Sequence, residues 1–294
     1  MTHPRELVLT LVSRDGDVAP LAAGAPGRTG NVADRSAAGW SVAEANVAGG
    51  ADLVSWLDVE APARGADWAI TPAANRRKRL LISDMDSTII GQECLDELAD
   101  FAGLKAEVSA ITERAMRGEL DFAAALTQRV AMLKGLNLDA LEACHRERLR
   151  LNPGACELVA TMKAHGARAV LVSGGFRYFT SRVAAMAGFD ADRANTLIDD
   201  GATLTGAVGQ PILGREAKLS ALLEETAARG LTADDAVALG DGANDLDMIR
   251  AAGLGIAFKA KPVVAAETLA RIEHTDLRAA LFFQGYRADE IVSA

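Results

Sequence analysis

The sequence predicts an α/β fold with a parallel-sheet core, a helical cap inserted after the first core strand and a small α+β segment at the N-terminus. Two observations support this. From Leu80 onward, strand-like apolar runs alternate with helical patterns, which is typical of a parallel sheet covered by helices. Residues 91–150 interrupt the alternation with helical spacing alone, which indicates an insertion.

The N-terminal segment, residues 1–78, differs from the rest in composition. Residues 6–12 and 51–59 are predicted to be strands, and a Gly/Ala-rich stretch without a clear period lies between them around residues 24–39. A basic run at residues 75–79 follows. We expect it to be a solvated linker, because clustered like charges favour contact with water, and a binding patch is the functional alternative.

The composition restricts the class of protein. The chain has 294 residues, 50% of them hydrophobic, enough for one large domain or two smaller ones. No apolar run approaches the length of a membrane span, and the first residues lack a signal-peptide pattern, so we expect a cytoplasmic protein without a membrane partner. A net charge of -9 without a basic stripe argues against nucleic acid. Cys94, Cys144 and Cys156 fit no zinc motif and suit a reducing compartment.

The α/β core is predicted to comprise residues 79–90 and 151–294. Strands are expected at residues 80–82, 169–172, 236–239 and 254–257, and the last three are nearly continuous apolar runs, as in strands buried on both faces. Helices are expected at residues 156–165, 179–187 and 217–228. The pattern predicts a Rossmann-like sheet, which binds ligands beyond the carboxyl ends of its strands.

Residues 91–150 are expected to form a helical cap above those strand ends, although a purely structural helical pair is an alternative. Leu95, Leu98 and Ala99 follow helical spacing. Arg129 lies seven residues after Phe122, on the face of a second apolar stripe. It could bury only its stem, with its charge in water, or it could direct its guanidinium into a cavity to hold a carboxylate or phosphate. The pattern leaves both open.

The first polar motif, residues 84–88, directly follows the first core strand. In an extended chain Asp84 and Asp86 project to one side. Two close carboxylates repel each other unless a cation lies between them or one is protonated, which indicates a chemical use. An Asp-Ser turn that caps a following helix is the structural alternative.

Three further motifs follow later strands or begin a helix. Ser173-Gly174-Gly175 offers a hydroxyl and exposed amides that suit a phosphate, or else forms a tight turn. Lys218 opens a helical segment, and a single lysine is ordinarily a surface charge. Residues 240–245, with Asp241 and Asp245, suit a hard cation or an Asx-capped turn. Together the motifs supply what phosphoryl transfer through an aspartyl phosphate requires.

In this order, Asp84-x-Asp86-x-Thr88, Ser173-Gly174-Gly175, Lys218 and the Gly-Asp-Gly-x-Asn-Asp run of residues 240–245 resemble the haloacid dehalogenase superfamily of phosphatases. Residues 84–93, residues 115–118 with Phe122, and residues 172–176 are most similar to the members that hydrolyse O-phospho-L-serine at the end of serine biosynthesis. The resemblance extends over about residues 78–278. Some members carry an ACT-like regulatory domain before the core, and residues 1–78 are interpreted as a degenerate version.

The resemblance implies a role for each matching residue. Asp84 is implied as nucleophile and Asp86 as general acid and then base. Mg²⁺ is implied at Asp84, Asp241 and Asp86, the last through its backbone carbonyl. The remaining implied roles are these: Ser173, Gly174, Lys218 and Asn244 at the phosphate, Asp245 behind the metal and lysine, Glu93 at the amino group, Arg129 at the carboxylate, and Met116 and Phe122 as shields against water.

Other functions remain as alternatives at this point. The same chemistry could serve another small phosphomonoester or transfer phosphate from phosphoserine to a second hydroxyl. A receiver module phosphorylated on an aspartate would not need a sixty-residue insertion or an acid at Asp86. A catalytically silent amino-acid sensor is suggested only by the N-terminal segment. The protein is expected to be a monomer or homodimer.

Overall fold

The computed structural model describes residues 6–116 and 119–293, and the side chain of Met116 lies outside the described part. The strands are β1 Leu7–Ser13, β2 Ala33–Asp34, β3 Ser41–Val47, β4 Ala66–Pro72, β5 Leu80–Ser83, β6 Arg168–Phe176, β7 Ala191–Asn195, β8 Leu197–Asp199, β9 Leu204–Val208, β10 Ala236–Gly240, β11 Leu254–Phe258 and β12 Ala270–Ile272. The helices are α1 Ala19–Ala23, α2 Ala51–Glu60, α3 Cys94–Phe101, α4 Lys105–Met116, α5 Phe122–Met132, α6 Asp139–Arg148, α7 Ala155–Ala164, α8 Arg177–Ala187, α9 Arg215–Ala227, α10 Leu246–Ala251, α11 Pro262–Ala265 and α12 Ala279–Phe283.

Ten strands form one mixed sheet in the order β2-β3-β1-β4-β12-β11-β10-β5-β6-β7. The six strands from β12 to β7 pair in parallel, and this part is the predicted core. The N-terminal strands pair antiparallel and join the core where β4 meets β12. The α/β fold class is therefore confirmed, and the N-terminal segment extends the same sheet.

The register around β5 determines where the site lies. Ser83, the last residue of β5, pairs with Leu239 of β10 on one side and Leu171 of β6 on the other. The residues that follow each of these positions therefore emerge at one edge of the sheet. The chain runs from β5 outward through β6 and β7, then returns to β10 on the opposite side of β5. This reversal is the kind of switch point at which α/β sheets bind ligands.

The predicted core strands and helices are confirmed because their apolar patterns match their burial. Every residue of β5 and β10 is buried. Helices α7, α8 and α9 begin within two residues of their predicted starts. Such runs can remain dry only when helices cover both faces of the sheet.

The prediction of a strand at residues 51–59 is wrong, because these residues lie in helix α2. The alternation of Leu53, Ser55 and Leu57 fits a strand, but Leu53 and Leu57 also lie four residues apart, on one helical face. Both are buried with Leu9 and Leu11 of β1. The antiparallel strands need a helix to cover this apolar face, and that requirement decides the conformation.

The prediction of a solvated linker at residues 75–79 is wrong for Arg76 and Lys78, whereas Asn75, Arg77 and Arg79 are exposed. Arg76 is largely buried, forms a 2.6 Å ion pair with Glu44, and donates from Nη2 to the hydroxyl of Thr10 at 2.9 Å. Lys78 is buried and donates to the carbonyls of Asn75 and Asp234, each at 2.8 Å. Burying a charge is tolerated only when it finds such partners, so this run attaches the N-terminal strands to the core.

Within the described residues of 91–150 the structure has four helices, α3 to α6, and no strand. The predicted stripes lie on α3 and α5, with Leu95, Leu98, Leu126 and Val130 buried. The hairpin β8–β9, which the sequence analysis did not predict, supports them from outside this range. Leu204 exchanges backbone hydrogen bonds with the loop after α5, accepting from Gly135 at 2.8 Å and donating to Leu136 at 2.9 Å.

None of the helices in the described part of the chain combines the length and the hydropathy that a membrane span requires.

Candidate active site

A cavity of about 350 Å³ lies between the carboxyl edge of the sheet and the helices of residues 91–150. It is lined from both sides by most of the residues that the sequence singled out. These are Asp84, Asp86, Glu93, Phe122, Arg129, Ser173, Gly174, Asp241 and Asn244. The position of an insertion above strand ends thus produces a cavity with one wall from each part.

Asp84 lies at the end of β5 in a tight turn. Its Oδ1 accepts a hydrogen bond from the amide of Met85 at 2.8 Å, and the carbonyl of Met85 accepts from the amides of Ile89 and Ile90. Ser87 has φ 54°, in the left-handed region. A non-glycine residue there is uncommon and costs energy. The turn holds Asp84 over the strand end while the chain reverses.

Lys218, in the first turn of α9, lies between two carboxylates. Its Nζ is 2.8 Å from Asp84 Oδ2 and 2.6 Å from Asp245 Oδ1, and its side chain is 2% exposed. Burial alone would lower the pKa of Lys218, but the charges of Asp245 and Asp84 outweigh it and raise that pKa. The lysine is therefore a permanent cation here and not a surface charge.

The carboxylates outnumber this cation. Asp84, Asp241 and Asp245 each place an oxygen within 4.8 Å of the others, and all three are buried. Burial, and next the charge of Asp245, raise the pKa of Asp84 well above its ordinary value and that of Asp241 to about 6. Three carboxylates with one lysine leave negative charge unbalanced, and oxygen ligands are those that Mg²⁺ prefers. The donor set therefore fits a hard divalent cation.

Glycine permits this packing at the end of β10. A Cβ on Gly240 would lie 2.3 Å from Cγ of Asp245, a distance that real atoms do not reach. The amide of Gly242 donates to Asp245 Oδ2 at 3.1 Å. Asp245, predicted to stand behind the metal and lysine, lies inside the carboxylate cluster itself.

Asp86 faces away from that cluster. Its Oδ1 accepts from the amide of Cys94 at 3.0 Å and its Oδ2 from the hydroxyl of Ser173 at 3.4 Å. Burial raises the pKa of Asp86, and the hydrogen bonds from Cys94 and Ser173 offset part of that effect. The two aspartates of the motif therefore have different surroundings, as a nucleophile and an acid require.

The Ser-Gly-Gly segment, residues 173–175, carries the phosphate-type donors and lies within the last part of β6 rather than in a tight turn. The hydroxyl of Ser173 accepts from the amide of Gly175 at 2.8 Å, so its own proton is directed elsewhere. A Cβ on Gly174 would lie 2.8 Å from Cζ of Phe122, and one on Gly214 would lie 3.3 Å from Cδ1 of the same ring. Phe122 therefore reaches down from the first turn of α5 and rests on two glycines of the core.

Asn195 is a buried site residue that the sequence analysis missed. Its Nδ2 donates to the carbonyls of Gly174 at 2.8 Å and Leu213 at 3.0 Å, and its Oδ1 accepts from the amide of Leu213 at 2.7 Å. These bonds fix the Ser-Gly-Gly segment against the residues that lead into α9. The available signal was a lone amide at the end of β7, which is too common to single out.

Glu93 lies just before α3 at the opposite side of the cavity. Its Oε1 accepts from the hydroxyl of Ser87 at 2.7 Å. Burial, and next the negative charge of Asp86, raise the pKa of Glu93 to about 8. A positive charge beside Glu93 would favour its ionised form and offset the repulsion from Asp86.

Arg129 is 7% exposed, so its charged head is not in water. Its Nη1 donates to the hydroxyl of Thr112 at 2.8 Å and its Nε to the carbonyl of Ala125 at 3.2 Å. Among residues 6–116 and 119–293, no carboxylate lies within ion-pair distance of it. The interpretation of Arg129 as an arginine with a solvated head is therefore wrong, and its guanidinium faces the cavity.

The cavity wall contains further residues that the sequence analysis did not single out, among them Thr112 and Arg215, and it includes Leu95 and Leu126 of the predicted apolar stripes. Thr112 is a polar residue within the apolar side of α4, and that exception was the only signal for it. The predicted shielding role of Met116 concerns a side chain outside the described part of the structure, so it stays a prediction.

Comparison with known proteins agrees with this geometry. The model of the haloacid dehalogenase-like hydrolase family matches residues 81–250. A phosphoserine phosphatase from a Polaromonas species is 48% identical over 204 residues, which cover 68% of this chain and 86% of that protein. A crystal structure of a hydrolase of the same family from Salmonella enterica serovar Typhi has a TM-score of 0.84 at 30% identity and covers 94% of this chain and 98% of its own. A structure of a phospho-aspartyl intermediate analogue of phosphoserine phosphatase has a TM-score of 0.67 at 38% identity and covers 70% and 99%.

Proposed function

This chain belongs to the haloacid dehalogenase-like hydrolase family and, within it, to the phosphoserine phosphatases, and we propose that it hydrolyses O-phospho-L-serine to L-serine and phosphate, the last step of serine biosynthesis. One observation carries the proposal. A single cavity joins the paired carboxylates of the core to a half-buried acid, Glu93, and a buried arginine, Arg129, from the other wall. These charges suit a phosphate at one end and a zwitterionic amino acid at the other.

Asp84 is the nucleophile. One of its oxygens attacks phosphorus while the bond from phosphorus to the serine oxygen breaks, which leaves an aspartyl phosphate on Asp84. The turn of residues 84–90 and the ion pair to Lys218 hold this carboxylate in one orientation. Fixed orientation is worth much of the barrier in such reactions.

Asp86 transfers the protons. It gives its proton to the departing serine oxygen, then removes one from the water that attacks the aspartyl phosphate and releases inorganic phosphate. The first step needs a protonated carboxyl, and burial raises the pKa of Asp86 in that direction. Its contact with Ser173 supports this role, because a general acid must lie within reach of the leaving group.

Ser173, the amide of Gly174, Lys218 and Asn244 bind the phosphate oxygens. Lys218 also stabilises the charge that develops on them, and Asp245 keeps its ammonium in place. Asn195 supports the segment of β6 that carries Ser173 and Gly174. The hydrogen bonds that these groups offer are already arranged before substrate binds.

Mg²⁺ is the proposed cofactor. Asp84, Asp241 and the backbone carbonyl of Asp86 would hold it, and Asp245 lies in the same carboxylate cluster. When bound, it supplies positive charge that reduces the repulsion between an anionic nucleophile and an anionic phosphate.

The other wall selects the amino acid. Glu93 binds the ammonium and Arg129 the carboxylate of phosphoserine, while Phe122 and Met116 keep water from the reacting atoms. The position of Phe122 on Gly174 supports this shielding role, because the ring covers the side of the Ser-Gly-Gly segment that faces the cavity.

Phosphate release from L-phosphoserine, measured with and without Mg²⁺, tests the proposal. Phosphothreonine and an aryl phosphate are compared under the same conditions, with Asp84→Asn as the control. We expect magnesium-dependent turnover that favours phosphoserine. Activity on the aryl phosphate alone would leave the chemistry and remove the substrate. A stable phosphoprotein without turnover would instead indicate a receiver module.

We further expect the enzyme to work in the cytoplasm as a monomer or homodimer. Cys94, Cys144 and Cys156 are all free, which fits a reducing compartment. Light scattering on the purified protein measures the oligomeric state.

A further inference from the structure

Arg129 is one end of a chain of hydrogen bonds that crosses three helices. Its Nη1 donates to the hydroxyl of Thr112 on α4 at 2.8 Å, and that hydroxyl donates to Asp96 Oδ1 on α3 at 2.9 Å. Ser109, one turn before Thr112, donates to the other oxygen of Asp96 at 2.6 Å. The charges of Arg129 and Asp96 are thus connected through one hydroxyl group.

The direction of each bond follows from the donors available. A guanidinium can only donate and a carboxylate can only accept, so the single hydroxyl proton of Thr112 goes to Asp96 and its lone pair receives Arg129. The carbonyl of Val108 lies 3.1 Å from the same hydroxyl, but the charged carboxylate is the closer and stronger acceptor. Hydrogen bonds in such a chain strengthen one another.

These hydrogen bonds also explain how the buried charge of Arg129 is compensated. Burial lowers the pKa of Arg129, and the negative charges of Asp96 and Glu93 act against that effect. Arg129 forms no direct ion pair with any residue that the structure describes. A charge this deeply buried needs compensation, and here the carboxylate of Asp96 provides it through the hydroxyl of Thr112.

We propose that Thr112 is a positioning residue for substrate selection: its hydroxyl links Arg129 to Asp96 and thereby holds the guanidinium so that Nη2, which makes no hydrogen bond to a described residue, is directed at the substrate carboxylate. The arrangement compensates the arginine without occupying its front. A direct ion pair would compete with the substrate for the same fork. This inference rests on the proposed role of Arg129 in phosphoserine binding.

Thr112→Val tests the link, because valine keeps the shape of threonine and loses only the hydroxyl. We expect KM for phosphoserine to rise about ten- to a hundredfold, the range expected for losing a hydrogen bond to a charged group, with little change in kcat. For phosphoethanolamine, which lacks the carboxylate, both constants should stay within about twofold of wild type. Thr112→Ser restores the hydroxyl and should return KM for phosphoserine to near its wild-type value.

Ser109→Ala is the matched control. It removes a hydrogen bond to the same Asp96 from the same helix without touching Arg129. Equal losses in Thr112→Val and Ser109→Ala would show that only the attachment of α3 to α4 matters, and would overturn the proposal. So would equal losses in Thr112→Val and Thr112→Ser.

A second measurement does not depend on the substrate. Side-chain nitrogen NMR of ¹⁵N-arginine protein, with Arg129 assigned by Arg129→Lys, reports whether rotation of the guanidinium is restricted. We expect restriction in wild type, Thr112→Ser and Ser109→Ala and free rotation in Thr112→Val. Unchanged restriction in Thr112→Val overturns the link. A wild-type enzyme that does not prefer phosphoserine to phosphoethanolamine removes the proposed substrate, whatever the NMR result.

Discussion

Two buried cations lie at or beside the same cavity, Arg129 in its wall and Lys218 against Asp84, which lines it. Lys218, on the core side, contacts two carboxylates at 2.8 and 2.6 Å. Arg129, on the opposite wall, has only a hydroxyl and a carbonyl as partners among the described residues. The core is therefore electrostatically assembled before substrate arrives, whereas the other wall leaves a charge for the substrate to pair. The charge that serves the chemistry, Lys218, is already paired, whereas the charge that selects the substrate, Arg129, is left for the substrate to pair.

The largest effect should come from the core nucleophile. Asp84→Asn keeps the shape and removes the attacking charge, so we expect turnover of phosphoserine and of an aryl phosphate to fall together, on the order of 10⁴-fold or more. Rapid-quench assays for released phosphate measure this. A variant that kept full rate on either substrate would remove the aspartyl-phosphate mechanism and, with it, the distinction between the two walls.

We expect the loss of Lys218 to lower the free energy of unfolding much more than the loss of Arg129. Lys218→Met strands Asp84 and Asp245 without their partner, and breaking a buried pair in this way costs about 3–5 kcal/mol of the free energy of unfolding. Activity on every phosphomonoester should be lost as well. Urea unfolding followed by circular dichroism measures the first effect. A stability equal to wild type would mean that Lys218 is not the charge that holds the cluster together.

Arg129→Met should leave stability almost unchanged and weaken substrate binding instead. It removes a buried charge that has no ion-pair partner in the described structure, so the free energy of unfolding should fall by no more than about 1 kcal/mol. The loss should fall on KM for phosphoserine, by about a hundredfold, with phosphoethanolamine unaffected. Steady-state kinetics on both substrates, beside the same urea titration, separate the outcomes. Equal losses on both substrates would refute the carboxylate role.

The smallest effect concerns pH. Because the pKa of Glu93 is raised to about 8, the free enzyme holds this carboxyl protonated below that pH, and a protonated acid attracts an ammonium poorly. We expect kcat/KM for phosphoserine to rise with pH through a limb that lies above the ordinary glutamate value of 4.5 and extends toward 8. The profile of kcat/KM reports such groups of the free enzyme.

Phosphoglycolate, which has the phosphate and carboxylate but no amino group, is the control for this limb. The rise should be missing with phosphoglycolate and in Glu93→Gln. A limb of the same midpoint in the variant would assign it to another group, such as the phosphate itself.

The sequence was most informative where local chemistry and burial agree. Asp84, Asp86 and Asp241 follow buried strands and Ser173 lies near the carboxyl end of another, and parallel strands bring their carboxyl ends to one edge whatever the details of packing. The apolar runs of the core allowed one interpretation only. The N-terminal segment was different, because Leu53 and Leu57 fit a strand by alternation and a helix by their spacing of four. Only the need to cover the antiparallel strands chose the helix.

By itself, then, the sequence determined the fold class and the residues that could perform phosphoryl transfer, since both depend on patterns within short stretches of chain. The tertiary structure decided what depends on distant partners. It placed Asp245 in the carboxylate cluster and Asn195 behind the Ser-Gly-Gly segment. It also placed Arg129 in the cavity wall, with Thr112 behind it. These roles come from contacts between residues 17 to 161 positions apart in the chain, and no local pattern records such contacts, because the energy of a buried polar group depends on what surrounds it.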